Sequence, residues 1–278
     1  MGQVVGGFLV PHAPLIFTHK GRGDAAQEQR VMDAFSYVSK RIAELECDTV
    51  IIVGADHFIL FGPSNLPKML MAVGDVQGPI EKFPDLPRYD HAVDAALAEH
   101  ILQHGEENTT DWSVAKSIVV DHAITIPHFL LVKPLEAVKT IPVYLNAAVE
   151  PRINLKRCFR LGAEIRAAVE AFPDNRRVAV IGSGGFSHWV GSARMGSINE
   201  EFDRKLLGWI EDSNFAPILD LPDDVILENG GEGELEIRQM LCALGSVKDP
   251  VCKLIAYEPV KAWITGMAFV EITPASGS

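Results

Sequence analysis

The sequence predicts an α/β fold: one domain over residues 1–278, with a central mixed β-sheet flanked by helices. Three observations carry that expectation. Short β-branched runs alternate with longer stretches of helical periodicity, the pattern of strands and helices built around one sheet. The run Thr49-Val-Ile-Ile-Val-Gly54 is apolar without a break, as in a strand covered on both faces. The chain has 278 residues, 47% of them hydrophobic and 22% charged, which is enough core to fold without staples.

Taken in order, a first strand is expected at 4–10 and a helix at 24–46, followed by the strand at 49–54. Pro and Gly cluster at 62–67 and 78–87, which read as surface loops, and loops of this kind often shape a site. A helix at 90–104 stops before Gly105 and carries His100 and His104 in its last turn. Strands at 140–145 and 177–182 follow, with helices at 154–172, 198–212 and 232–245. The chain closes with strands at 253–257 and 263–272, and a small, polar tail at 273–278 reads as frayed.

Composition excludes several classes. There are 25 Lys and Arg against 37 Asp and Glu, a net charge of −12. Nucleic acid and anionic membranes call for a basic footprint and are not expected partners. Cys47, Cys158, Cys242 and Cys252 are scattered with no CxxC pair, the usage of reduced thiols in the cytosol. The N-terminus has no basic leader, Gly6 breaks the myristoylation pattern, and no apolar stretch reaches the ~18–20 residues of a membrane span. A soluble, cytoplasmic protein is the expectation.

The histidines carry the most chemical information, since imidazole titrates near neutrality and ligates metals. His12, His57 and His188 each follow the end of an expected strand, where sites of α/β sheets form. His122 is a fourth candidate. Asp56 and Asp121 each precede a histidine and could fix its tautomer. His100 and His104 read as helix-end residues, His19 and His91 as surface residues without partners, and His128 as packing. A glycine-rich stretch leads into Glu232, Glu234 and Glu236, acids that a helix start also favours. Two histidines and one carboxylate on one face of a metal suit non-haem Fe(II) oxygenases, and the same set on zinc serves hydrolysis. Ligand types alone leave both readings open.

Other motifs fail. A G-x-S-x-G nucleophile turn would need glycine at Ile181 or at Trp189, a dinucleotide fingerprint from Gly182 ends at Ser187, and no phosphate loop occurs.

The ordered set PHAP at 11–14, DH at 56–57, DHAITIP at 121–127, SGGFSH at 183–188 and GEGELEIRQM at 231–240 resembles the class III extradiol ring-cleavage dioxygenases, the superfamily of the protocatechuate 4,5-dioxygenase β-subunit. The match runs from His12 to Glu236. It implies Fe(II) held by His12, His57 and Glu236, with Glu234 as the alternative carboxylate. It implies His188 as the acid–base histidine and His122 as a second active-site histidine meeting substrate or oxygen. The implied substrates are O2 and a vicinal dihydroxy aromatic ring, of catechol or dihydroxypyridine type. A homodimer is the implied assembly, and a separate small α-subunit accompanies some members. Two positions depart from the family pattern: Ala55 stands where relatives often have Asn, and Met240 where several have Trp. Two competing readings remain beside it, a non-catalytic metal- or partner-binding relative and a zinc hydrolase on the same triad.

Overall fold

The computed structural model describes residues 1–275. The chain opens with strand β1 (Gln3–Val10), the short helix α1 (Leu15–Thr18), helix α2 (Ala25–Glu44) and strand β2 (Thr49–Gly54). Asp24 caps α2 by accepting the N–H of Gln27 at 2.8 Å, which fixes the helix start. Strands β3 (Met69–Gly78) and β4 (Tyr89–His91) lead to helix α3 (Ala95–Glu107), strand β5 (Ser113–Val119) and helix α4 (His122–Pro127). Then come strand β6 (Lys139–Leu145), helix α5 (Leu155–Ala171) and strand β7 (Arg177–Ser183). Helices α6 (Glu200–Glu211), α7 (Ala216–Leu219), α8 (Asp223–Gly230) and α9 (Ile237–Ser246) precede the closing hairpin, β8 (Pro250–Val260) with β9 (Thr265–Pro274).

Among the described residues nine strands form one sheet in the order β4-β3-β6-β2-β7-β1-β9-β8, with β5 also on β3. The centre is parallel: β6 pairs β2, β2 pairs β7 and β7 pairs β1, all in one direction. The flanks are antiparallel, with β3 on β6 and β9 on β1. The mixed α/β architecture expected from the sequence is therefore the one found. Alternate residues of each central strand feed two separate cores, Ile51 and Val53 on one face and Val50 and Ile52 on the other. Leu161 and Ile165 of α5 and Leu241 of α9 complete the first core, and Val31, Phe35 and Val38 of α2 complete the second.

The structure corrects several expectations. The helix expected at 90–104 starts only at Ala95, after Asp94 accepts the N–H of Leu97, and it runs through Gly105. Tyr89–His91 is instead a strand. His91, read as a surface residue without a partner, is buried and stacked on His128, ring centroids 4.0 Å apart. The strand expected from Trp263 begins at Thr265, because Ile264 takes a left-handed conformation (φ 52°) that ends a short turn. Of the tail read as frayed, Thr273 and Pro274 belong to β9, and residues 276–278 lie outside the described residues. Strands β3, β4 and β5 were not among the expected elements. All four cysteines are buried and unpaired. No helix among the described residues is long and apolar enough to cross a membrane.

Candidate metal centre

Because the central strands run parallel, β1, β2 and β7 deliver their C-terminal ends to one edge of the sheet. Pro11-His12 follows β1, Ala55-Asp56-His57 follows β2, and Gly184 to His188 follows β7. Glu236 arrives from a different direction, at the end of a tight turn (Gly233–Glu236) that leads into α9. His12 Nε2 lies 3.1 Å and His57 Nε2 3.0 Å from the same oxygen, Glu236 Oε1. The other oxygen, Oε2, accepts the backbone N–H of Gly185 at 2.9 Å, which fixes the carboxylate's orientation.

The far side of each imidazole is tied as well. Ser183 Oγ–H donates to the carbonyl of Ala123 at 2.7 Å, so its lone pair accepts from His12 Nδ1 at 2.7 Å. Asp121 Oδ2 accepts from His57 Nδ1 at 3.0 Å. Both rings thereby commit Nδ1–H outward and turn Nε2 inward, where without a metal it shares a proton with Glu236 and where loss of that proton leaves the lone pair a metal needs. Burial alone would lower the His57 pKa, but its bonds to Asp121 and Glu236 outweigh that and raise it to about 10. Burial works against the charged form of Glu236 too, yet His12 and His57 hold it well below the usual carboxylate range.

The two Asp-His neighbours do not pair with each other, as expected where adjacent residues face opposite ways. Asp56 does not touch His57 but folds the loop after β2, accepting the N–H groups of Ile59, Leu60 and Phe61 at 3.3, 2.9 and 3.1 Å. Asp121 caps α4 through Ala123 N–H and serves His57 rather than its own neighbour. His122 Nδ1 is bonded instead to Glu81, which also accepts the His122 backbone N–H at 3.3 Å. Glu81 comes from the loop between β3 and β4, and its only trace in the sequence is one acid in a Pro- and Gly-rich stretch.

One ring nitrogen each of His12, His57 and His122 lie within 4.8 Å of one another. The His122 ring stands 4.1 Å from that of His57. His188 lines the same cavity, with Nδ1 donating to the Phe186 carbonyl at 2.6 Å and Nε2 left free. Burial lowers its pKa. Gly233 packs flat on that ring: a Cβ there would sit 2.0 Å from His188 Nε2, so only glycine allows the approach. Two of the glycines in the broken motifs serve the same close packing, since a Cβ on Gly184 would lie 2.9 Å from Glu236 Cβ and one on Gly185 2.9 Å from His188 Cε1, while Gly182 lets α9 approach at Met240.

Of the two remaining glutamates, Glu232 lies at the mouth of the cavity. Glu234 is fully buried away from the histidines, with neither oxygen hydrogen-bonded among the described residues, and burial pushes its pKa far up. His100 and His104 stand apart from this cluster on α3, their rings 6.3 Å apart.

Fold and site together define a cavity at the C-terminal edge of a mixed sheet whose inward groups are imidazole and carboxylate, the donor set of a divalent metal enzyme. The family model of the catalytic LigB subunit of aromatic ring-opening dioxygenase matches residues 6–268, and the chain belongs to that family of metal-dependent ring-cleaving dioxygenases. A 2,3-dihydroxyphenylpropionate/2,3-dihydroxicinnamic acid 1,2-dioxygenase of Photorhabdus laumondii is 24% identical over 95% of this chain and 96% of its own length. An enzyme of the same description from a Rhodococcus species is 24% identical over 92% of this chain and 94% of its own length. A gallate dioxygenase of Pseudomonas putida is 32% identical over 41% of this chain and 34% of its own length. The crystal structure of an uncharacterized protein from Escherichia coli K12 shares the fold, with a TM-score of 0.58 at 11% identity over 96% of this chain and 99% of that one.

Proposed function

We propose that this chain is an Fe(II)-dependent extradiol dioxygenase, opening an aromatic ring that bears two adjacent hydroxyls, with O2 as co-substrate. The observation that carries the reading is the convergence of His12 Nε2 and His57 Nε2 on one oxygen of Glu236. That donor set fits a divalent iron: two imidazoles, neutral once the metal displaces the proton they share with Glu236, and one carboxylate on one side, each oriented by a partner behind it, with an open cavity on the other side. Bound there, the iron would act as a Lewis acid toward the diol and let electrons pass from the bound diol, the group that is oxidised, to O2. His12, His57 and Glu236 are the proposed ligands, and Glu234 is not, since its carboxyl is sealed away and favours the neutral form.

The chain's other side chains handle protons and water. His188, with Nδ1 committed to the Phe186 carbonyl, offers Nε2 as the base that takes a hydroxyl proton from the ring. Burial keeps that ring neutral and ready to accept. His122, with Nδ1 bound to Glu81, is left Nε2 to meet substrate or oxygen across the cavity. Leu15, Leu235 and Trp263 wall the cavity and limit water around the reacting groups.

Metal analysis of purified variants tests the assignment. His12→Ala and Glu236→Ala are expected to lose iron, while His188→Ala keeps it and turns over at least about 100-fold more slowly, the usual share of one general base. Full iron in both ligand variants would remove these residues from the site. Turnover after chelation and reloading separates the metals: oxygen uptake restored by Fe(II) is expected, whereas no uptake with Fe(II) and hydrolytic turnover restored by Zn(II) would mean a hydrolase instead.

A further inference from the structure

We infer that the ring this site accepts carries an uncharged, apolar substituent rather than a carboxylate; the inference rests on the ring-cleavage reading and narrows its substrate. The cavity measures about 410 Å³. A cavity of about 150 Å³ holds a benzene ring, so the space exceeds a bare catechol and leaves room for a substituent of comparable bulk.

Its mouth is apolar. Leu15, Phe58, Val190, Met195 and Ile264, all exposed or half-buried, belong to the lining there. Three of these are among the few large apolar side chains that the described residues leave exposed: Phe58 is 54%, Val190 47% and Met195 65% accessible. They come from two separate loops, after β2 and after β7, and gather at one opening. Exposed apolar groups concentrated at a cavity mouth mark the place where an apolar ligand surface is covered.

The charge at the cavity points the same way. Among the described residues no lysine or arginine lines it, and its carboxylates are Asp56, Glu232 and Glu236. Asp56 is occupied by the loop amides and Glu236 by the two histidines, which leaves Glu232, held among the described residues only by the Val190 N–H at 3.4 Å, as the least neutralised negative group at the opening. Arg194, next to Met195, is committed elsewhere: its guanidinium lies 3.9 Å over the Trp189 ring and donates to the Glu228 carbonyl at 2.9 Å. A substrate carboxylate entering here would lose hydration without gaining a cation, in sight of Glu232. The substrates in the relatives' names, dihydroxyphenylpropionate and gallate, are both carboxylates. On this reading the chain has left that substrate class.

The test is anaerobic calorimetry on the iron-loaded protein with three probes: catechol, 3-propylcatechol and 3-(2,3-dihydroxyphenyl)propionate. Propylcatechol is expected to bind at least about 10-fold tighter than catechol, from the free energy of burying its methylenes. The propionate is expected to bind at least about 10-fold more weakly than propylcatechol. Met195→Arg, at an exposed rim position, is expected to raise affinity for the propionate at least about 10-fold, without a comparable gain for propylcatechol. A propionate that binds as tightly as propylcatechol overturns the inference, and so does propylcatechol no tighter than catechol, or binding of none of the three. Admitting air then separates the two claims. The expected order without oxygen uptake refutes ring cleavage and leaves the substituent preference standing, whereas uptake with the order reversed does the opposite.

Discussion

At the scale of single residues, Glu81 is the group the site depends on that chemistry in the sequence did not announce. One of its oxygens holds both the backbone N–H and the ring Nδ1 of His122, so it sets the start of α4 and the face His122 turns to the cavity. Removing such a partner behind an active-site histidine costs about 10–100-fold in affinity or activity where it has been measured in metal sites. Glu81→Ala is therefore expected to lower kcat by about 10–100-fold while leaving iron content unchanged. Glu81→Gln is expected to recover most of the loss, since an amide oxygen still accepts from Nδ1. Equal rates for all three proteins would show that His122 needs no such support. His12, His57 and His188 were legible because they follow expected strand ends, whereas His122 and the choice of Glu236 among three neighbouring acids came from the family resemblance. Their partners were not legible: His57 is served by Asp121 from 64 residues away and His12 by Ser183 from 171 away, pairings that only the folded sheet creates.

At the scale of elements, the helix pair α5 and α9 shows why two glycines sit inside helices, where each costs about 1 kcal/mol against alanine. A Cβ on Gly162 would lie 2.0 Å from the Cys242 carbonyl oxygen, and one on Gly245 would lie 1.9 Å from that of Phe159. The two backbones touch, and α9 carries Glu236 at its entrance. Gly245→Ala is expected to force the helices apart. Overpacking of this kind typically costs about 1–3 kcal/mol, which lowers Tm by roughly 2–12 °C at the usual 2–4 °C per kcal/mol for a larger domain. Calorimetry reads the first effect, and iron affinity reads the displacement of Glu236 that the same shift entails. An unchanged or higher Tm would mean that the helices separate freely. The central parallel strands were legible because each is continuously apolar. β5 was not, being mostly exposed or half-buried with neither an apolar run nor a clean alternation, whereas β3 opens on the apolar run at 69–73, a strand signal hidden between two Pro- and Gly-rich stretches and cut short by Gly74 and Asp75.

At the scale of the whole molecule, stability in acid turns on a group of rings that do not line the cavity. His91 of β4 and His128, which opens the wide π-helical turn His128–Val132 after α4, are stacked and buried together, with Tyr89 Oη hydrogen-bonded to His128 Nδ1 at 2.8 Å. His91 has no hydrogen-bond partner on either nitrogen among the described residues. Burial first, then the charge of Lys133, lowers the His91 pKa to about 4. Burial, His91 and Lys133 lower that of His128 to about 2. In the unfolded chain both return to about 6.5, the ordinary imidazole value. The sign follows from proton uptake: between the two values the unfolded state binds protons that the native state refuses, so stability is full above pH 6.5 and is lost as pH falls toward the folded values. Each histidine contributes a slope of up to about 1.4 kcal/mol per pH unit in that window. His91→Phe keeps the stack and leaves no polar atom orphaned, while removing one of the two protonation sites. The variant is expected to match the parent protein's urea midpoint near pH 7.5 to within ordinary packing differences, and to pull ahead steadily between pH 6.5 and 4. Parallel midpoints across that range would show that the pair already takes up its protons in the folded state, and that acid sensitivity arises elsewhere in the sheet.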